Sequence, residues 1–202
     1  MADRENRRSI VIHHDPFEID ESSITACRDF KLHQSGDIDW ELAKLWDSLE
    51  NKPKLIVFDL DLTLWPFWID THASPPFKKT VNTTENLFTI EDKEGRKLTY
   101  FSDVPRILST LRYCCSKSNS YMGVASRTSA YQAAIQLLEL YEWKDHFDSI
   151  QTYSGTKVRH INHICKELNI ENKKDVLFFD DETRNIDDTK ELGLTAYLLN
   201  MR

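Results

Sequence analysis

Leu55-Ile56-Val57-Phe58-Asp59-Leu60-Asp61-Leu62-Thr63 sets four uninterrupted apolar residues against two aspartates spaced one residue apart. An apolar run with a β-branched pair and no polar alternation is the mark of a strand covered on both faces. A second such run, Val176-Leu177-Phe178-Phe179, also ends in acid, Asp180-Asp181. Between the two, Val104, Ile107, Leu108 and Leu111 trace a helical face. Tyr131, Ala134, Ile135 and Leu138 trace another, and Val158, Ile161, Cys165 and Leu168 a third. Short strands are expected over residues 121–125, 147–153 and 195–199. Strands alternating with helical stripes predict an α/β chain: a three-layer, Rossmann-like domain around a central parallel sheet.

Working outward, Pro53 closes the preceding segment, in which Ile38, Leu42, Leu45, Trp46 and Leu49 recur at helical spacing. This predicts an amphipathic helix over about 38–49, capped by Asp37 and packed on the domain that follows. Residues 1–50 read as an N-terminal extension, partly disordered, with a brief strand at 9–12. The domain proper is placed at 53–200. Residues 65–100 break its alternation: they hold three of the six prolines, and two weak strand-like pieces, 86–90 and 97–100, flank Glu91-Asp92-Lys93-Glu94-Gly95. That is hairpin chemistry, a minimal cap of loop or β-hairpin standing where a lid or specificity loop is expected.

The chain's 202 residues suit one domain with an appendage, and only five are glycine. Lys and Arg number 26 against 33 Asp and Glu, a net charge of −7, opposite to what a phosphate backbone attracts. No nucleic-acid partner is expected. The apolar runs fall far short of the ~20 residues a membrane-spanning helix needs. With a charged N-terminus and no signal-peptide core, the reading is a cytoplasmic or nuclear protein without a membrane partner. Cys27, Cys114, Cys115 and Cys165 show no CxxC spacing and read as reduced, mostly buried thiols.

In a parallel α/β sheet, the residues just past the carboxyl ends of strands line the ligand crevice, so both acidic pairs fall on one rim. Two unit charges ~4 Å apart repel by ~4 kcal/mol at an effective dielectric near ~20. A bound cation removes that cost, and an all-oxygen donor set favours Mg²⁺ over zinc. Any one of these aspartates alone is an ordinary turn residue or N-cap. Ser126 and Lys157 occupy corresponding strand ends, where taken singly they read as an N-cap and a solvated lysine. Together the set is complete for phosphoryl transfer: a carboxylate to attack phosphorus, a second to move the leaving-group proton, and a hydroxyl, an ammonium and Mg²⁺ to hold the phosphoryl oxygens.

These ordered residues resemble the motifs of the haloacid dehalogenase (HAD) superfamily phosphatases. Phe58 to Trp65 followed by Pro66-Phe67-Trp68-Ile69-Asp70-Thr71-His72, then Pro75-Pro76-Phe77, looks like the magnesium-dependent phosphatase subfamily. So do Ala125-Ser126-Arg127-Thr128-Ser129 and Phe178-Phe179-Asp180-Asp181-Glu182 with Arg184-Asn185-Ile186. The resemblance implies Asp59 as the nucleophile that becomes an aspartyl-phosphate and Asp61 as general acid, then base. It implies Ser126 and Lys157 on the phosphoryl group, and the Leu60 backbone, Trp68 and Arg127 on substrate. Mg²⁺ would sit on Asp59, the Asp61 backbone carbonyl and Asp181, with Asp180 in support. The acidic pair by itself does not decide which of Asp180 and Asp181 ligates.

The expected function is a Mg²⁺-dependent phosphomonoesterase. By the resemblance, its substrates would be aryl phosphates, phosphotyrosine included, or phosphosugars such as fructosamine 6-phosphate. The alternative is a catalytically silent HAD-like scaffold whose N-terminal helix binds a protein partner. A cysteine phosphatase is excluded because none of the four cysteines has Arg six residues on. His160 and His163 lack companion ligands at useful spacing and read as packing or surface residues rather than a zinc site.

Overall fold

A computed structural model describes residues 30–31, 38–84 and 87–200. The expected strand at 9–12, Cys27, the Asp37 cap and the disorder assigned to the first residues lie outside the described residues.

The elements run β1 (Phe30–Lys31), α1 (Trp40–Ser48), β2 (Leu55–Phe58), α2 (Ile69–His72), β3 (Lys78–Asn82), β4 (Leu87–Glu91), β5 (Lys97–Leu98), α3 (Val104–Ser118) and β6 (Tyr121–Ser126), then α4 (Tyr131–Leu140), β7 (Ser149–Thr152), α5 (Lys157–Glu167), β8 (Val176–Asp180), α6 (Thr183–Lys190) and β9 (Thr195–Leu198). Five strands form a parallel sheet in the order β7-β6-β2-β8-β9. The two apolar runs lie side by side, with Phe58 opposite Phe179.

Alternation along β2 builds both outer layers. Ile56 and Phe58 join Leu108, Leu111, Ala134, Leu137 and Leu138 of α3 and α4 in one core. Leu55 and Val57 join Ile161, Ile164, Cys165 and Ile186 of α5 and α6 in the other. All four β2 side chains are buried, which is why the run has no polar position. The chain winds one way from β2 through β6 to β7 and then returns to β8 and β9, so its direction switches between β2 and β8. That switch point is where such sheets open a crevice.

The small second sheet is antiparallel. β3 pairs along all of β4, while β1 and β5 pair with opposite ends of β4. The hairpin expected at 86–90 and 97–100 is present as β4 and β5, but no residue of β3, β4 or β5 lines the main cleft. Within residues 65–100 it is Trp68 and Asp70, ahead of the small sheet, that line it. Phe77, Phe88, Ile90, Leu98 and Tyr100 are buried in the main core. Lys79 donates to the Leu140 carbonyl at 2.9 Å and pairs with Glu142 at 2.7 Å, and the Phe77 N–H donates to Gln136 Oε1 at 3.3 Å. These contacts hold the small sheet against α4.

Helix α1 packs beside α3, and the Asp39 N–H donates to Thr110 Oγ1 at 2.8 Å. Its cap is Asp39, whose carboxylate accepts from the N–H groups of Glu41 and Leu42, so the capping residue falls two positions after the one expected. Ala43 and Trp46 face inward, whereas Leu45 is 60% exposed. Cys114, Cys115 and Cys165 are buried free thiols, and burial pushes the Cys115 thiol up to about 12, an unreactive setting. No helix among the described residues is long and apolar enough to cross a membrane.

Candidate active site

The rim at the carboxyl ends of β2, β6 and β8 is organised around one buried lysine. Lys157 opens α5, directly after the Thr156 cap that accepts from the Arg159 N–H, and is 2% exposed. Its ammonium donates to Asp59 Oδ1, to the Ala125 carbonyl at 2.6 Å and to Asp180 Oδ2 at 3.0 Å. Three protons meet three acceptors, which is what makes a buried lysine tolerable. Burial works against that charge, yet Asp59 and Asp180 outweigh it and hold the ammonium above its ordinary range. The solvated-lysine reading of this residue is therefore wrong.

The two acids that end β8 are differently employed. Asp180 is fully buried, and Oδ1 accepts from the Glu182 N–H at 2.8 Å and from Asn185 Nδ2 at 2.9 Å. Its Oδ2 accepts from Asn185 at 3.1 Å and from Lys157. Asp181, next in the chain, faces the cleft and receives no bond from another described side chain. One oxygen from each of Asp59, Asp180 and Asp181 fits within 4.8 Å. Burial foremost, reinforced by Asp59 and then Asp180, raises the Asp181 carboxyl to about 7. Burial also raises Asp59 to about 6, with Lys157 opposing and Asp180 adding to the rise. Carboxylates held together so unfavourably, with oxygen the only donor type, fit a hard divalent cation such as Mg²⁺.

Asp61 is prepared in another way. Leu62 adopts a left-handed backbone at φ 58°, and the Thr63 and Leu64 N–H groups both return to the Leu60 carbonyl. This tight reversal brings the fully buried Trp65 indole back to Asp61 Oδ1 at 2.6 Å, and the Ile69 N–H reaches the same oxygen at 3.3 Å. Burial raises the Asp61 carboxyl to about 7, with Asp59 and Asp70 adding to the rise and the Trp65 and Ile69 bonds resisting it. A carboxyl that exchanges its proton near neutrality, two residues from a second carboxylate, has the property that general acid–base chemistry requires.

A cleft of about 300 Å³ joins these parts. Asp59, Asp61, Trp68, Ser126, Arg127, Lys157 and Asp181 all line it. Leu60 and Asp180 do not: the Leu60 side chain is buried in the core, and Asp180 lies behind Lys157. Ser126 ends β6 and is 1% exposed. It caps no helix, since α4 begins only at Tyr131, and its Oγ accepts from the Thr128 N–H at 3.3 Å. Trp68 is 41% exposed and stacks on His72 at 5.3 Å, an apolar wall beside the carboxylates.

With this geometry in view, the acid phosphatase family pattern matches residues 51–201. The chain belongs to that family. It is 41% identical over 145 residues to human "Magnesium-dependent phosphatase 1", covering 71% of this chain and 76% of the relative. A HAD-like hydrolase superfamily protein of Schizosaccharomyces pombe is 38% identical over 152 residues, covering 71% and 83%. In fold, the chain is similar to the N-terminal part of a Bacteroides fragilis protein containing a phosphatase domain complexed with Mg. There the TM-score is 0.50 at 15% identity, over 75% of this chain and 37% of that one. The protein is thus an acid phosphatase family member of the HAD type.

Several cleft residues of this phosphatase had no role assigned from the sequence. Glu182 accepts from Arg184 at 2.8 Å, from Arg127 at 3.4 Å and from Asn185 at 3.0 Å, gathering two guanidinium groups at the mouth. Asp70, Thr128, Ser154 and Gly155 complete the wall. Asn185 was recoverable from its distance to Asp180, five residues across a strand-to-helix turn. The others carry no pattern of their own.

Proposed function

We propose that this protein is a Mg²⁺-dependent phosphomonoesterase working through an aspartyl-phosphate on Asp59. The observation that carries the reading is the pairing of two acids with different partners in one cleft: Asp59 tied to the Lys157 ammonium, and Asp61, two residues on, held by the Trp65 indole. Asp59 attacks phosphorus, the P–O bond to the leaving group breaks, and the departing oxygen takes the Asp61 proton. Asp61, now ionised, takes a proton from water; the hydroxide attacks the phosphoryl group, and Asp59 is released with inorganic phosphate. Lys157 and Ser126 hold phosphoryl oxygens through both steps. Mg²⁺, when bound, supplies electrostatic stabilisation of the phosphoryl oxygens and relief of the carboxylate cluster.

The direct protein ligands are Asp59, Asp181 and the Asp61 backbone carbonyl. Asp180 serves as support, because every oxygen it has already accepts from Lys157, Asn185 or Glu182. Substrate is gripped outside the phosphoryl group by the Leu60 backbone, Trp68 and Arg127. The stacked Trp68 wall favours an aryl phosphate, phosphotyrosine among them, or the apolar face of a phosphosugar such as fructosamine 6-phosphate. Residues 53–200 constitute the catalytic domain, and the segment before it is an extension. A panel of phosphotyrosine peptide, aryl phosphate and phosphosugars ranked by kcat/KM tests the substrate class. Activity that persists undiminished in EDTA would overturn the metal assignment.

A further inference from the structure

Lys157 can hold the phosphoryl group only if the turn that delivers it is itself fixed. That turn, residues 153–156, links β7 to α5 and carries Ser154 and Gly155 into the cleft wall. It closes around a histidine the mechanism does not use. His160 lies one helical turn beyond Lys157 and is fully buried. Its Nε2 is 2.8 Å from the Tyr153 carbonyl, and its ring lies 4.2 Å from the Tyr153 ring. A carbonyl only accepts, so Nε2 carries the proton. Nδ1 is buried without a partner among the described residues, as befits an imidazole with a single proton. Burial foremost, with Lys157 and Arg127 adding to it and the bond to Tyr153 opposing, holds His160 below its ordinary range.

The Tyr153 peptide then passes the constraint on. Its N–H donates to the Ser126 carbonyl at 3.2 Å, while its carbonyl takes the imidazole proton. The result is a continuous line from the helix bearing Lys157, through the turn, to the strand end bearing Ser126. Gly155 lies inside this wrapping, its Cβ position within van der Waals contact of the Tyr153 ring at 3.6 Å and of His160 Cε1 at 3.8 Å.

We propose that His160 is a positioning residue for phosphate recognition: its Nε2–H, by fixing the Tyr153 carbonyl, sets the spacing between the Lys157 ammonium and the Ser126 hydroxyl. The proposal rests on the phosphatase reading and concerns the grip on phosphate rather than the nucleophile or the metal.

The experiment uses the full chain and three variants. His160→Leu removes the donor, His160→Gln places an amide N–H at the reach of Nε2, and His160→Asn keeps an amide too short to reach. Turnover of p-nitrophenyl phosphate with Mg²⁺ by the unmodified protein establishes the underlying site; if it fails, the function proposed above fails first. Inorganic phosphate binding is then measured calorimetrically in the presence of Mg²⁺. His160→Leu and His160→Asn are expected to weaken phosphate binding and raise KM by about 10-fold, the usual effect of removing an outer-shell partner, while His160→Gln stays within about 3-fold. The Mg²⁺ concentration giving half-maximal activity is expected to be unchanged in all three, because the carboxylates stand on β2 and β8. Should the leucine variant fail to fold, the Gln and Asn pair decides. Equal phosphate affinity in those two, a parallel loss of Mg²⁺ affinity, or failure of all three to fold would overturn the proposal.

Discussion

Lys157 and Asp180 form a 3.0 Å ion pair in which neither side chain reaches solvent, and the lysine simultaneously holds Asp59. A buried pair of this kind is weak evidence for net stability, but removing one partner strands the other charge in a low dielectric. The pair therefore couples folding to the site, unlike the neighbouring Asp181.

Asp180→Ala should destabilise the metal-free protein by about 3–5 kcal/mol, since it leaves Lys157 with Asp59 as its one carboxylate partner and takes from Asn185 both of its bonds to Asp180. Asp181→Asn should leave stability intact or improved while abolishing the response to Mg²⁺. Urea unfolding in EDTA compares the two. Equal destabilisation by both substitutions would refute the division of labour between the two acids.

Asp59→Asn is expected to lower kcat by about 10³-fold or more, as removal of a covalent nucleophile does. Asp61→Asn should behave differently with p-nitrophenyl phosphate, whose leaving group needs little protonation. The first half-reaction would proceed and the second would stall. Intact mass after acid quenching should show a phosphoryl adduct in Asp61→Asn and none in Asp59→Asn.

Without metal, Asp59, Asp61 and Asp181 have folded-state values raised to about 6, 7 and 7 from an ordinary 3.8. Between those limits the folded protein binds more protons than the unfolded chain, so stability falls as pH rises. Tm in EDTA should decline from about pH 4 to about pH 7, with burial of the three carboxylates as its cause. Mg²⁺ should reverse the decline, raising Tm more at pH 7.5 than at pH 5; at 100 times its Kd a ligand contributes about 2.7 kcal/mol. A metal response independent of pH would contradict the carboxylate origin.

Hydrolysis of an alkyl phosphate needs protonated Asp61, so its rate should fall as pH passes about 7. The Trp65 hydrogen bond favours the ionised form, and Trp65→Phe should therefore shift this alkaline limb to higher pH. A shift to lower pH in the variant would show that the indole acts otherwise.

Legibility in the sequence followed burial. β2 and β8 were plain because every β2 residue is enclosed and the run has no polar break. β3 was not foreseen: Lys78–Asn82 is exposed along almost its whole length, and its pairing with β4 leaves no apolar alternation. Helix α6 was missed because Thr183–Lys190 offers a single apolar residue, Ile186. It docks through Ile186 together with Asn185 and Thr189, all three buried and the last two hydrogen-bonded. In α1, Leu45 fitted the helical stripe yet points to solvent, since a pattern fixes spacing and not the width of the contact. At the site, Asp59, Asp61 and the acidic pair were visible as punctuation after apolar runs. The fate of Lys157 depended on acceptors 98 and 32 residues earlier in the chain, which no local pattern encodes.

That separation bears on when the protein can begin to work. β2 is made before both of its neighbours in the sheet, yet lies between them, and the ammonium that Asp59 requires is 98 residues downstream. During synthesis the early aspartates are ordinary solvated carboxylates on an unpaired strand. Asp59 meets Lys157 and Asp180 only when α5 and β8 have packed beside β2. Turnover during refolding is consequently expected to return with closure of the five-stranded sheet rather than with formation of any single helix.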